Sequence, residues 1–191
     1  MSYDFYAFLS RMKHIKRWSL MRSTMEENIM EHSFMVTTIA HSLALIRKEI
    51  FNKEVDLYKT LTYAQYHETG EVITGDLPTP IKYFNESITS AYKDLEEKSC
   101  NQLIDKLPPQ LQAEYKMAIF PDKDSIEYAI VKQADRICAL IKCIEELRVG
   151  NNEFKKAKQS ILKDINKFDS EECKYFIANI LPSFEKTLDE L

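Results

Sequence analysis

The sequence predicts an all-α, single-domain helical bundle, and three observations carry that expectation. Only three glycines stand in 191 residues, so few positions offer the permissive backbone that turn-rich β folds use repeatedly. Apolar residues recur at spacings of three and four along most of the chain, the period of a helix with one buried face. Prolines and glycines fall between these runs, at 70–80, 108–109, 121, 150 and 182, and punctuate long stretches of helix formers.

One domain, residues 1–191, is expected, because a chain of this length buries a single sizeable core and seldom divides. With 45% hydrophobic and 29% charged residues, the balance is that of a globular chain and not of a disordered one. A formal net charge of −4 argues against a nucleic-acid polymer as partner, since phosphate neutralisation supplies most of such affinity. A local basic pocket stays open. Cys100, Cys138, Cys143 and Cys173 form neither a C-x-x-C pair nor a zinc-ribbon spacing, and no signal peptide is recognised, so a reducing cytoplasm is the expected location. The longest apolar runs fall far short of the roughly 20 residues a bilayer requires, and no membrane partner is expected.

Residues 3–16 place Phe5, Phe8 or Leu9, Met12 and Ile15 at helical spacing among basic residues, a first amphipathic helix. Arg17 and Trp18 follow directly. A lone tryptophan is usually a core anchor and a lone arginine usually solvated, so this pair gains meaning only if other elements converge on it. Asn28 with Glu31 three residues on reads as a capping box opening a helix over 28–51. His32, Val36, Ile39, Leu43 and Ile46 share one face of that helix, and His41 lies on the opposite one. A helical run over 56–71 carries Leu57, Leu61 and Ala64, and its stripe continues to His67, Glu68 and Glu71. Gly70, Gly75, Pro78 and Pro80 then stop regular structure and leave Asp76 and Thr79 on a stiff loop.

The next amphipathic helix is expected over 81–107, with Tyr83, Phe84, Ile88, Tyr92 and Leu95 as its apolar members, ended by Pro108 and Pro109. A short helix covers 111–120. Asp124 and Glu127 repeat the capping-box pattern before a helix over 124–149, stopped by Gly150. Its stripe holds Tyr128, Val131, Asp135, Cys138 and Lys142, which puts an acid on a buried face while Lys132 and Arg136 point elsewhere. Helices over 156–168 and 171–181 and a tail from Pro182 complete the chain.

Taken singly, His67 is a buried histidine with a hydrogen-bond partner, and Asp135 is half of an ion pair. Taken together, His32, His67, Glu68 and Asp135 come from three helices, each on the core-facing stripe of its own helix. Two nitrogen and two oxygen donors suit a borderline divalent cation, and helical bundles build metal sites in this way.

Four stretches in order extend this reading: Leu9-Ser-Arg-Met-Lys-His-Ile-Lys-Arg17-Trp18, Glu27-Asn-Ile-Met-Glu31-His32-Ser33, the run from His67-Glu68 through Gly-Asp76-Leu-Pro-Thr-Pro80, and Val131-Lys-Gln-Ala-Asp135. With Gly150-Asn-Asn-Glu-Phe154, they make the chain resemble the HD-superfamily metal-dependent phosphohydrolases and, within them, the bacterial 5′-deoxynucleotidases, over nearly its whole length. The resemblance implies an HD-domain-like bundle, a homodimer, and hydrolysis of deoxyribonucleoside 5′-monophosphates. It implies one divalent ion (Co, Mn, Zn, Ni, Fe or Cu) on His32, His67, Glu68 and Asp135. It also implies that Arg17 orients the phosphate, Trp18 packs on the sugar, and Glu71 assists proton transfer or positions the attacking water. Asp76, Leu77, Pro78 and Thr79 would bind the deoxyribose, with Glu68 and Asp135 also facing the substrate. One ligand departs from the pattern: the superfamily is named for His-Asp, and this chain has His67-Glu68. One added methylene makes the carboxylate fold back, bind bidentately or leave the metal.

The residue types meet the needs of the chemistry independently. A divalent metal lowers the pKa of bound water and so supplies a nucleophile at neutral pH. Arg17 offers a planar fork for the phosphate charges, and Glu71 a proton for the leaving 5′-oxygen. A ring such as Trp18 excludes a 2′-hydroxyl while Asp76 accepts from the 3′-hydroxyl. Two other readings remain open from sequence: a related phosphohydrolase acting on another nucleotide, and a nucleotide-binding regulatory protein whose chemistry lapsed with the change to glutamate.

Overall fold

The computed structural model describes residues 2–191, and three helices that cross one core set its architecture. The central one, α2 (Ile29–Leu45), opens on the expected capping box. The Asn28 side chain accepts from the backbone N–H groups of Met30 and Glu31, and the Glu31 carboxylate accepts from the Asn28 N–H. The helix continues through a π turn, Ile46–Ile50. By length and composition Ile29–Ile50 could cross a bilayer, yet half of its apolar window is buried, and α3 (Leu57–Tyr66) and α8 (Ile126–Arg148) pack along it. It is the core helix of the bundle, which explains why it is apolar on most sides. Val36, Ile39, Leu43, Ile130, Ile137 and Leu140 fill the space between these helices.

The first helix is shorter than its periodicity predicts. Helix α1 (Phe5–Leu9) tightens into a 3-10 turn, Ser10–His14, and Ile15 is extended. Tertiary pairing overrides the local pattern here: Lys16 bridges Asn28 in antiparallel fashion, Ile29 N–H donates to Ile15 O at 3.0 Å, and Arg17 N–H donates to Glu27 O at 2.9 Å. This is the point that fixes Arg17 and Trp18 beside the start of α2.

Helix α3 also differs from the expected run. Its buried positions are Thr60, Tyr63 and Ala64, while Leu57 and Leu61 are only half-buried, and regular helix ends at Tyr66. Residues 67–70 form a turn before a single helical turn, α4 (Glu71–Thr74). At Gly70 a side chain's first carbon would stand 3.2 Å from Cys100 Sγ and 3.4 Å from Glu96 O, so the turn packs closely on the next long helix. That helix is not continuous over 81–107. It comprises α5 (Thr79–Lys82), a break, and α6 (Glu86–Ile104), whose start Asn85 caps by accepting from Ile88 N–H at 2.8 Å. Of its predicted apolar members only Tyr92 is buried. Tyr83, Phe84, Ile88 and Leu95 are exposed, and the true inner face runs through Tyr92, Ser99, Cys100, Leu103 and Ile104. These residues join Phe5, Met12, Ile29 and Val72 in a second apolar cluster, which α7 (Pro109–Ile119) completes.

At the start of α8 the cap is Ser125, not Asp124: its hydroxyl accepts from Tyr128 N–H. Both residue types cap well, so local chemistry does not choose between them. Glu127, expected to complete a capping box, instead accepts from Asp56 N–H at 3.0 Å and ties α3 to α8. Gly150, at φ +88, ends the helix region in the left-handed conformation. Helices α9 (Lys155–Ile165) and α10 (Glu171–Asn179), with 3-10 turns at Leu181–Glu185 and Leu188–Glu190, take the place of the two helices and tail read from sequence.

Candidate metal and nucleotide site

Three helices deliver the four predicted ligands to one place. His32 sits in the first turn of α2 and is fully buried. His67 caps the end of α3, Glu68 lies on the turn that follows, and Asp135 projects from α8. One donor atom from each lies within 4.8 Å of all the others. His32 Nε2 is 3.1 Å from Asp135 Oδ1 and 3.8 Å from Glu68 Oε1, and His67 Nε2 is 3.3 Å from Glu68 Oε1. His67 and Glu68 reach this point from adjacent flanks of the helix end, where the chain tightens into 3-10-type bonds, Thr69 N–H to Tyr66 O and Glu71 N–H to Glu68 O, both 3.1 Å.

The histidine nitrogens test whether the cluster suits a cation. His67 Nδ1 lies 2.6 Å from Ala64 O, so it carries the proton, and Nε2 is left as a buried lone pair with no hydrogen-bond partner. An orphaned buried acceptor aimed at two carboxylates is what a metal ligand requires, and the carbonyl that orients the ring is the usual supporting contact. His32 has Arg17 Nη1 at 2.6 Å from its Nδ1 and Glu27 Oε1 at 4.0 Å. Coordination through Nε2 puts the proton on Nδ1, where a carboxylate is the suitable acceptor and a guanidinium is not. The donor set of the four residues fits a divalent cation, and in the metal-bound ring the Arg17 N–H would no longer lie on His32 Nδ1. Asp135 is not an isolated acid: Lys132, expected to point away, has Nζ 3.7 Å from its Oδ2.

Burial and the neighbouring charges set the protonation states. Burial disfavours an ionised Glu68, but the neighbouring imidazoles of His67 and His32 outweigh it and hold the carboxyl down at about 2. Asp135 is likewise held well below the usual carboxylate range, against burial, by its hydrogen bond to His32 and the charge of Lys132. Glu71 goes the other way: burial, followed by the anions Glu68 and Asp76, pushes it up to about 10. Burial and the Arg17 charge lower His32, whereas Glu68 outweighs burial and raises His67. Pairs of acids driven apart in this way mark functional sites.

Arg17 and Trp18 stand on the rim, both bonded to one carboxylate. Arg17 Nη1 donates to Glu27 Oε2 at 2.7 Å, and the Trp18 indole N–H donates to the same oxygen at 3.0 Å. Trp18 has φ +60, a left-handed backbone that costs a bulky residue about 1–3 kcal/mol and persists where surroundings over-determine it. Its ring packs on buried Phe154 at 5.4 Å. Asp76 follows Gly75, itself at φ +74, and its carboxyl is raised by burial against the pull of Arg17. Tyr92 OH donates to Gly75 O at 3.1 Å and anchors this loop. Leu77 and Pro78 are half-buried along it, and Thr79 is exposed at the start of α5. His41 lies on the outer side of α2, away from the cluster, as its register predicts. Sequence reasoning missed Glu27 as a site residue; its signal was its place directly before the Asn28 cap.

The family model described as "5′-deoxynucleotidase YfbR-like" matches residues 4–184. The chain belongs to the YfbR-like 5′-deoxynucleotidase family. A 5′-deoxynucleotidase of Vibrio cholerae is 47% identical over 188 residues, covering 98% of this chain and 97% of its own, and one of Yersinia pestis is 46% identical, covering 98% and 95%. Among solved structures, an HD-domain phosphohydrolase from Listeria innocua superposes with a TM-score of 0.84 at 26% identity, over 95% of this chain and 88% of that one. The cyanophage S-2L HD phosphohydrolase bound to dA and one catalytic Zn2+ ion shares the fold at a TM-score of 0.61 and 17% identity, over 95% and 96%. The YfbR-like chain thus has the HD-domain fold its sequence predicts, and Glu68, despite its added methylene, keeps its carboxylate in the cluster.

Proposed function

We propose that this chain binds one divalent metal ion through His32, His67, Glu68 and Asp135 and hydrolyses deoxyribonucleoside 5′-monophosphates to deoxynucleoside and phosphate. The observation that carries the reading is the buried His-His-Glu-Asp cluster with the orphaned His67 nitrogen, in a member of a 5′-deoxynucleotidase family. The donor set suits Mn, Fe, Co, Ni, Cu or Zn. When bound, such an ion lowers the pKa of water and neutralises phosphate charge.

The chain's own residues supply the rest. Arg17 turns its guanidinium from His32 to the phosphate as a two-pronged donor. Glu71 is buried, and burial with the anions Glu68 and Asp76 favours its protonated form; it is the acid we assign to protonate the leaving 5′-oxygen. Trp18 walls the sugar on the side of the 2′-carbon, and Asp76 accepts from the 3′-hydroxyl. Leu77, Pro78 and Thr79 line the deoxyribose. The reading includes a cytoplasmic location and a homodimer, for which the outward stripe Met30, Phe34 and Leu45 on α2 is the available apolar face; light scattering at micromolar concentration checks the dimer.

Phosphate release from matched deoxy- and ribonucleotides tests the substrate reading. Trp18→Ala is expected to raise the relative turnover of ribonucleotides roughly tenfold or more, whereas Arg17→Ala lowers every substrate alike, by about 10- to 100-fold. Equal loss on all nucleotides in Trp18→Ala would make the indole a packing residue only.

Glu68 separates an enzyme from a regulatory relative. Glu68→Asp is expected to preserve or strengthen metal binding and turnover, and Glu68→Gln, which keeps length but removes charge, to weaken metal binding at least about tenfold, ~1.4 kcal/mol. Isothermal titration with the metal reads both. Loss of metal in Glu68→Asp would mean the cluster has been rebuilt around the longer side chain.

A further inference from the structure

We infer that Glu27 is the positioning residue of the substrate site, holding the phosphate-directed guanidinium and the sugar-directed indole on a single carboxylate. The inference rests on the reading of Arg17 and Trp18 given above. Glu27 Oε2 is 2.7 Å from Arg17 Nη1 and 3.0 Å from Trp18 Nε1, so one oxygen sets the separation of the two groups that would meet opposite ends of a deoxyribose phosphate. The same residue fixes their backbone: its carbonyl accepts from Arg17 N–H at 2.9 Å, next to the Lys16–Asn28 bridge. Side chain and main chain of Glu27 thus hold Arg17 from two directions.

Three further observations make this an arrangement built for a ligand and not an incidental ion pair. The Glu27 and Arg17 side chains are only 18% and 13% exposed, so the pair sits where charged hydrogen bonds are strong. The neighbouring Lys16–Glu26 pair has side chains 61% and 72% exposed, and contributes little by comparison. Trp18 occupies the left-handed region, so its indole direction depends on being held, by Glu27 on its N–H and Phe154 on its face. The second oxygen of Glu27 lies 4.0 Å from His32 Nδ1, which extends the same carboxylate to the metal cluster without making it a ligand.

The consequence is that phosphate grip and sugar choice share one support. Glu27→Gln keeps the side-chain size and one acceptor for the indole but loses the charge that opposes Arg17; Glu27→Ala removes both. Trp18 is the chain's only tryptophan, so its emission reports the indole directly, without reference to activity. Glu27→Gln is expected to lower kcat/KM for all 5′-monophosphates about tenfold, with the deoxy/ribo ratio nearly unchanged. Glu27→Ala is expected in addition to shift Trp18 emission to the red and to lower the deoxy/ribo ratio toward the Trp18→Ala value; in a Trp18→Ala background it should move that ratio no further. Glu26→Gln, on the exposed pair, is the control and should change none of these. Far-ultraviolet dichroism establishes that each variant is folded, and if Glu27→Ala is not, Glu27→Asp, whose shorter carboxylate cannot reach both donors, takes its place. The inference is overturned if Trp18→Ala alters the sugar ratio while the Glu27 variant leaves both ratio and emission unchanged. Should Trp18→Ala leave the ratio alone, the substrate reading of Trp18 fails separately, and the emission alone decides: a red shift upholds Glu27 as the indole's support, and no shift overturns it.

Discussion

Replacing His67 by alanine is expected to remove bound metal and phosphate release together, lowering activity about 10³-fold or more, because a bound cation supplies several kcal/mol of transition-state stabilisation. The side chain is a clean probe. Its Nδ1 bonds the Ala64 carbonyl one turn back, and its Nε2, 3.3 Å from Glu68 Oε1, makes no hydrogen bond among the described residues, so removing the ring leaves a single hydrogen bond unmade. His32 is less clean, since Arg17 and Asp135 both lean on it. Asp135→Ala should share the loss of metal, while His41→Ala, on the outer side of α2, should keep full metal and full activity. Elemental analysis beside an assay of each variant checks this, and full metal in His67→Ala or Asp135→Ala contradicts the ligand assignment.

The largest expected effect on stability lies away from the ligands. Glu146 is almost wholly buried and collects five kinds of donor: Lys142 Nζ at 2.6 Å, Thr24 N–H and hydroxyl, Met25 N–H, and Asn151 Nδ2 at 2.8 Å. Lys142 also donates to Met25 O. This knot pins the segment just after Trp18 onto α8. Glu146→Ala would leave the buried ammonium without its counterion and is expected to cost about 3–5 kcal/mol, roughly 10 °C in Tm for a domain of this size. A joint change of Lys142 and Glu146 to Met and Leu should recover part of that loss, since neither charge then remains buried alone.

The same group makes a pH prediction. Burial opposes ionisation of Glu146, but its bonds to Lys142, Asn151 and Thr24 prevail and hold its carboxyl well below the ordinary 4.5. A folded-state value below the unfolded one means the stabilisation is fully present above about pH 4.5 and is lost as pH falls toward the folded value. Thermal unfolding between pH 6 and 3 should therefore show a steeper fall in the natural chain than in Glu146→Gln.

Much of this was legible in the sequence where local and global signals agree. Helix α2 declares itself by the Asn28–Glu31 box and by a stripe in which His32 is the polar member, and both hold in the structure. Asp135 is legible for the same reason on α8. The break at residues 67–70 was not, because the helical stripe runs through it to His67, Glu68 and Glu71; the close packing of Gly70 on α6 is a tertiary fact that no local period marks. The inner face of α6 was misread because its exposed aromatics, Tyr83 and Phe84, sit in a break before the helix begins. Glu27 lay hidden because its partners are 9 and 10 residues away across an antiparallel bridge, a spacing that no helical period marks. Lys142 and Glu146 stand one helical turn apart, yet Thr24, Met25 and Asn151 reach them only through the fold.

The most direct test of the central claim is a titration of metal-free protein with a divalent ion while phosphate release is followed from a deoxynucleoside 5′-monophosphate and from its ribonucleoside counterpart. The account predicts no release before metal is added, a rise that saturates at one ion per chain, and turnover of the deoxynucleotide far above that of the ribonucleotide. Full activity in the metal-free protein, or equal turnover of the two sugars, would contradict it.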